Sequence, residues 1–131
     1  MILSRATMSA AAALGLALAM PAAGQAHHSF AMFDATKTVT VTGTVKQFNW
    51  TNPHVFIWVV PNAGPVADDQ WSVELTSPGN LGRLGWTRTT LKPGDKISID
   101  LHPLRDGAHG GGFVQLTILE TGQVIKNGRS G

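Results

Sequence analysis

The chain has 131 residues, no cysteine, and a formal net charge of +2 from 10 basic and 8 acidic residues. The lack of cysteine excludes disulfide bonds, thiol catalysis and cysteine-bound iron–sulfur clusters. The small charge is scattered along the chain, so we expect no nucleic-acid partner.

Residues 1–26 have the pattern of a secretory signal peptide. Arg5 precedes an apolar run over residues 10–20, Pro21 ends that run, and small residues lead to Ala26. The run is shorter than the roughly 20 residues that a transmembrane helix needs. We therefore expect an exported protein, periplasmic or secreted, with no transmembrane segment after cleavage.

Two cleavage positions fit this pattern. Cleavage after Ala26 starts the mature chain at His27, and cleavage after Gly24 starts it at Gln25. We favour the first, which leaves residues 27–131 as one β-barrel domain with a net charge of about +1. Within that domain, residues 27–37 are predicted to be an extended leader and residues 126–131 a frayed tail.

The first predicted strand covers residues 38–50 and alternates with period two. Val39, Val41, Gly43, Val45, Gln47 and Asn49 would share one face. Gly43 within this strand predicts a bulge or a sharp bend. A turn at residues 51–53 leads into the second strand, at residues 55–60, and residues 71–75 form the third.

A short helix is predicted to follow, because Ser77 and Pro78 form a helix-start signal and Leu81 and Leu84 lie three residues apart. Strands at 96–101 and 113–119 come next, separated by a glycine-rich loop at 105–112, and residues 123–125 would add a short strand. The sequence thus predicts an all-β fold, a small five- to six-stranded barrel that is OB-like, with one short helix between strands three and four. A sandwich would fit almost as well.

The histidine pair at the cleavage site is the main chemical signal. If the chain begins at His27, its α-amino group and Nδ1 can chelate one metal ion. If it begins at Gln25, the sequence Gln-Ala-His lets the amine, two deprotonated amides and an imidazole surround the ion in a plane. Both sets of nitrogen donors favour Cu(II). The alternative is that these histidines belong only to a soluble leader.

Two further histidines lie at predicted strand ends, His54 before the second strand and His102 after the fourth. Loops gather at the rims of a barrel, so these side chains can join a metal site. The alternative is that each hydrogen-bonds to the backbone at its strand end. The candidate metal ligands are therefore His27, His28, His54 and His102.

Enzyme motifs are absent from the sequence. Its carboxylates are dispersed, no serine lies in a nucleophile elbow, and the triplet at 110–112 is not part of a phosphate loop. A non-enzymatic protein is favoured. A copper oxidase using His27 would need a third nitrogen ligand near the first two.

Four tryptophans, Trp50, Trp58, Trp71 and Trp86, lie in or beside predicted elements. They would fill the core of the barrel or, if exposed, form an aromatic platform for a ligand.

Several stretches resemble a family of small exported bacterial proteins of unknown function, DUF6152. They are residues 26–30, 32–34, 43–45, 48–54, 85–86, 91–95 and 102–107. The resemblance implies export and one compact domain, and implies no activity. The matching stretches contain His27, His28, Trp50, Asn52, His54, His102, Arg105 and Asp106.

Our leading hypothesis from the sequence is a periplasmic, non-enzymatic binding or accessory protein that takes Cu(II) through its mature N-terminal histidines. The alternative is a metal-independent barrel module that binds a saccharide, a lipid headgroup or a protein through exposed aromatic residues. Trp50, Asn52, Arg105 and Asp106 are the candidate surface for that module. In either case the partner would be a metal ion or an envelope-associated molecule.

Overall fold

The computed structural model describes residues 31–62 and 69–126. The predicted signal peptide, His27 and His28 lie outside these residues. The described elements are strands β1 (Val39–Asn49), β2 (Phe56–Pro61) and β3 (Trp71–Glu74), helix α1 (Pro78–Arg83), and strands β4 (Lys96–Pro103), β5 (Gly110–Ile118) and β6 (Gln123–Lys126). The predicted all-β fold with one short helix between strands three and four is confirmed.

Strand pairing closes a five-stranded barrel. β1 pairs antiparallel with both β2 and β4, β2 pairs with β3, and β4 pairs with β5. A parallel pairing between β3 and β5 closes the ring, and β6 extends the sheet beyond β5. This is the strand order expected of an OB-like barrel.

The core is formed by alternate residues of the strands and by the plug that α1 supplies. The Ser77 hydroxyl accepts a hydrogen bond from the Asn80 backbone N–H and caps α1, and Pro78 occupies its first turn. Leu81 is fully buried against the strands, beside Trp86. In the described part of the chain, no helix is long and apolar enough to cross a bilayer.

A bulge in β1 changes which residues face the core. The register shifts between Val45 and Gln47, opposite β2. The alternation therefore inverts, so that Phe48 packs against the core and Gln47 is exposed. The prediction that Gln47 shares a face with Val45 is wrong for this reason. Gly43 lies in close approach to the backbone of Val60, at the point where β1 pairs with both neighbouring strands.

The predicted loop at 105–112 ends earlier than expected, because its last three glycines form the start of β5. These glycines pair in parallel with β3, while Gly111 and Gly112 also pair with β4. A Cβ on Gly110 would lie 2.6 Å from the Ser72 carbonyl oxygen, and one on Gly111 would collide with the His102 carbonyl group. The glycines are thus required by the close approach of three backbones at the closure of the barrel.

The close packing at the closure of the barrel leads to a prediction about the free energy of unfolding. Replacing Gly111 with Ala forces a methyl group into backbone, and we expect the free energy of unfolding to fall by about 2 kcal/mol. The matched control is Gly82→Ala in α1, where no atom lies within 4 Å of the new methyl group. That change should raise stability by up to about 1 kcal/mol, since alanine favours helix. Urea unfolding of both variants measures the difference, and equal stabilities would contradict the role of Gly111.

Candidate functional site

Residues 31–37, here called the anchor segment, attach the N-terminal part of the described chain to the barrel. Phe33 is buried and forms an isolated bridge with Leu104. Its ring lies over Gly112, where a Cβ would come within 3.0 Å of it. The backbone N–H of Asp34 donates to the carbonyl oxygen of Pro103 at 2.8 Å. The end of the predicted leader is therefore docked on β4 and β5.

Arg105 strengthens this attachment from the loop between β4 and β5. Its backbone N–H donates to the Met32 carbonyl oxygen at 2.9 Å, and its Nε donates to the Ala31 carbonyl oxygen at 3.0 Å. Its side chain therefore holds the anchor segment. In the same loop, the carboxylate of Asp106 accepts a hydrogen bond from the Ala108 backbone N–H at 2.9 Å. Arg105 and Asp106, which the sequence offered as candidate surface residues, thus both make hydrogen bonds within the protein itself.

Asp34 holds the turn that follows Phe33. Its carboxylate accepts hydrogen bonds from the hydroxyl and the backbone N–H of Thr36, at 2.6 and 3.1 Å. These bonds, with help from the charges of Arg105 and Lys37, hold the pKa of Asp34 below its usual value. The stabilisation that this carboxylate provides is therefore present at neutral pH, and is lost as the pH falls through its pKa in the folded state.

His54 and Glu74 form a side-chain pair on the outer surface of the barrel. Nδ1 of His54 contacts Oε1 of Glu74, and the two side chains are 30% and 17% exposed. Glu74 follows the buried Val73 in β3, so the period-two alternation directs it outward. Because a carboxylate only accepts hydrogen bonds, neutral His54 places its proton on Nδ1 and its lone pair on Nε2.

The anchor segment and Glu74 meet at one cleft, which we call the outer cleft. It has a volume of about 250 Å³ and lies on the outside of β2, β3 and β5. It is lined by Met32, Phe33, Phe56, Ser72, Glu74, Leu104 and Gly111. The cleft thus combines apolar walls with one carboxylate and one hydroxyl.

His102 lies on the other side of Phe33. Its Nδ1 is 2.8 Å from the Lys37 carbonyl oxygen, which is the contact that the alternative to a metal ligand predicts for a histidine at a strand end. The register places His102 beside Gly112, and Gly112 beside Glu74. Two strand spacings separate His102 from Glu74, roughly 10 Å between Cα atoms.

The remaining candidates are not among the residues that line the outer cleft. Trp50 is half-buried and meets Phe48 edge-on, with ring centroids 5.8 Å apart, and Asn52 is exposed. Trp58 pairs with Ser72 across β2 and β3, and its buried Nε1 has no hydrogen-bond partner among the residues that the structure describes. Across residues 31–62 and 69–126, no three histidine, aspartate or glutamate side chains form a group able to hold a metal ion.

Two features of the site were not identified from the sequence. One is the partnership of Glu74 with His54, although the outward orientation of Glu74 follows from strand periodicity. The other is His109, whose ring stacks on Trp71 at 4.8 Å between centroids and whose Nδ1 lies 3.8 Å from Asp69. No local sequence pattern predicts either contact, because each contact joins residues that are distant in the sequence.

The docking of Phe33 can be tested by Phe33→Ala. Loss of the buried ring should lower the free energy of unfolding by about 3 kcal/mol. Met32→Ala is the matched control, since Met32 is 44% exposed and its loss should change stability by less than about 0.5 kcal/mol. Denaturant titration of the two variants gives both values. A Phe33→Ala variant as stable as the control would show that the anchor segment does not hold to the barrel.

One comparison with known proteins finds a match. The model of the family of unknown function DUF6152 matches residues 15–113, which cover most of the described barrel and all of β1 to β4. No curated protein and no solved structure matches the chain. The resemblance seen in the motifs is therefore confirmed across three quarters of the sequence, and the chain belongs to the DUF6152 family.

Proposed function

We propose that this chain is an exported, non-enzymatic binding or accessory protein of the bacterial periplasm that binds Cu(II) through the histidines of its mature amino terminus. The observation that carries the proposal is the docking of Met32 and Phe33 at a cleft that Glu74, the partner of His54, also lines. His27 precedes Met32 by only five residues. An extended chain covers at most about 17 Å in that length, so the proposed chelate would lie within that distance of Met32.

The chemistry of the terminus supports Cu(II) over other ions. With His27 first, one residue supplies an amine and an imidazole nitrogen, and with Gln25 first, the planar set of nitrogen donors forms instead. Nitrogen ligands in a planar arrangement suit Cu(II), which also binds such donors most tightly among the divalent first-row metals. Both cleavage positions therefore lead to the same ion.

The test begins with the protein expressed with its own signal and purified without a tag from the periplasm. Intact mass should identify His27 as the first residue, and titration should show one Cu(II) bound more tightly than by free histidine. The control is the same mature protein with three extra alanines before its first residue. That addition leaves every side chain in place but leaves no histidine among the first three residues, so neither terminal chelate can form and tight binding should be lost. No Cu(II) affinity beyond that of free histidine would overturn the proposal.

A metal-independent function is the second candidate, and the outer cleft favours a saccharide as its ligand. Phe56 offers an aromatic face, while Glu74 and Ser72 offer groups that hydrogen-bond to hydroxyls. Such a mixture of an apolar wall and a few polar groups is typical of small-ligand sites, and this face of OB-like barrels binds oligosaccharides in other proteins.

For this candidate, a neutral oligosaccharide titrated into the protein should change its tryptophan emission, since Trp58 lies beside Ser72. Phe56→Ala should weaken the binding at least tenfold by removing the stacking surface. Val124→Ala, at an exposed position on β6, is the matched control and should bind normally. Equal binding by both variants, or none by the unchanged protein, would contradict a saccharide site in the outer cleft.

A further inference from the structure

We infer that the outer cleft binds a sugar unit that carries a protonated amine, and that Glu74 is the residue that recognises this amine. The inference rests on the second candidate function, a saccharide site in the outer cleft, and names the class of sugar that the cleft selects. The residues that carry it, Phe56, Ser72 and Glu74, all belong to the described part of the chain and line the cleft.

Glu74 brings a negative charge into a cleft whose other lining residues are all uncharged. Its side chain is only 17% exposed, and in the described chain its ion-pair partner is His54, which is charged only when protonated. A neutral His54 donates one hydrogen bond through Nδ1 but supplies no counter-charge. Because a partly buried charge is costly unless it is paired, a cationic group on the ligand is the electrostatic complement of this cleft.

The two basic side chains near the anchor segment have partners of their own. Arg105 donates through Nε to the Ala31 carbonyl oxygen at 3.0 Å, and its charge helps to hold the pKa of Asp34 below its usual value. Nζ of Lys37 lies 3.6 Å from the Asp34 carboxylate. Both cations are thus directed to Asp34 and to the backbone, which leaves the charge of Glu74 available to a ligand.

The strand register places an aromatic ring, a carboxylate and a hydroxyl around one small area. Phe56 is the direct partner of Glu74 across β2 and β3, so their Cβ atoms lie about 5 Å apart. Ser72 lies two residues before Glu74 on the same face of β3, roughly 7 Å away. An amine bound to Glu74 would therefore lie beside the Phe56 ring, whose π face attracts a cation.

The size of the cleft and its mixed walls favour a single sugar ring. Its volume of about 250 Å³ is below the roughly 300–1,000 Å³ of sites that enclose drug-sized ligands. The rings of Phe33 and Phe56 offer apolar surface to the C–H faces of a pyranose, and the Ser72 hydroxyl can donate to or accept from a sugar hydroxyl. Since hydrogen bonds between charged groups are about twice as strong as neutral ones, selectivity should depend on the substituent that meets Glu74.

The experiment titrates the mature protein at neutral pH with the β-1,4-linked dimers of glucosamine, N-acetylglucosamine and glucose. These dimers differ only in carrying an amine, an acetamide or a hydroxyl at the same carbon. We expect the glucosamine dimer to bind at least tenfold more tightly than the other two. Its binding should shift the backbone amide resonances of Ser72, Glu74 and Gly111 in nuclear magnetic resonance spectra, and leave that of Val124 on β6 unchanged.

Two matched variants test the role of the carboxylate. Glu74→Gln removes the charge but keeps an oxygen that can accept the hydrogen bond from His54, so the variant should fold, as circular dichroism would verify. It should bind all three dimers with the same affinity as the unchanged protein binds the glucose dimer. Glu120→Gln removes the same charge at the exposed turn between β5 and β6, and should keep the tenfold preference for the glucosamine dimer.

The outcomes separate this inference from the function on which it rests. If the three dimers bind equally, the saccharide site stands and the selection of an amine is overturned. If Glu74→Gln keeps the preference, another group recognises the amine and the assignment to Glu74 is overturned. If ethylamine binds as tightly as the glucosamine dimer, the cleft recognises an ammonium group without a sugar, which also overturns the inference. If no dimer binds, the saccharide function fails and this inference fails with it.

Discussion

The closure of the barrel at Gly110–Gly112 is the constraint on which the other features depend. A parallel pairing of β3 with β5 requires three backbones to approach closely, since β4 also pairs with Gly111 and Gly112. A Cβ at Gly110 or Gly111 would collide with the backbone of Ser72 or His102, and one at Gly112 would press on the Phe33 ring. The glycines therefore close the ring, and Gly112 also leaves room on the outer surface for the Phe33 ring.

The space beside Gly112 determines where the residues of the candidate site lie. Phe33 fills the space that Gly112 leaves, and its docking draws the N-terminal chain across β5. Glu74 lies on one side of the ring and His102 on the other, because both pair in register with Gly112, from β3 and from β4. The outer cleft is thus a consequence of how the barrel closes, and it places the Phe33 ring and the Glu74 carboxylate at one location.

The same arrangement explains why the conspicuous motif residues differ in what they do. In the stretch from His102 to Asp106, the arginine holds the anchor segment and the aspartate holds its own loop. In the stretch from Trp50 to His54, Trp50 packs beside Phe48, whereas His54 turns to Glu74. A short motif therefore contains both structural and chemically available side chains, and only their contacts separate the two.

The sequence by itself determined the all-β class and the order of the strands and the helix along the chain, since period-two alternation and turn residues are local signals. It also determined the histidine pair on which the copper proposal rests. Only the tertiary structure decided that Gly110–Gly112 form a strand, that a bulge turns Phe48 inward, and that Glu74 is the partner of His54. Each of these three features depends on contacts between residues far apart in the chain, and local sequence patterns do not predict such contacts.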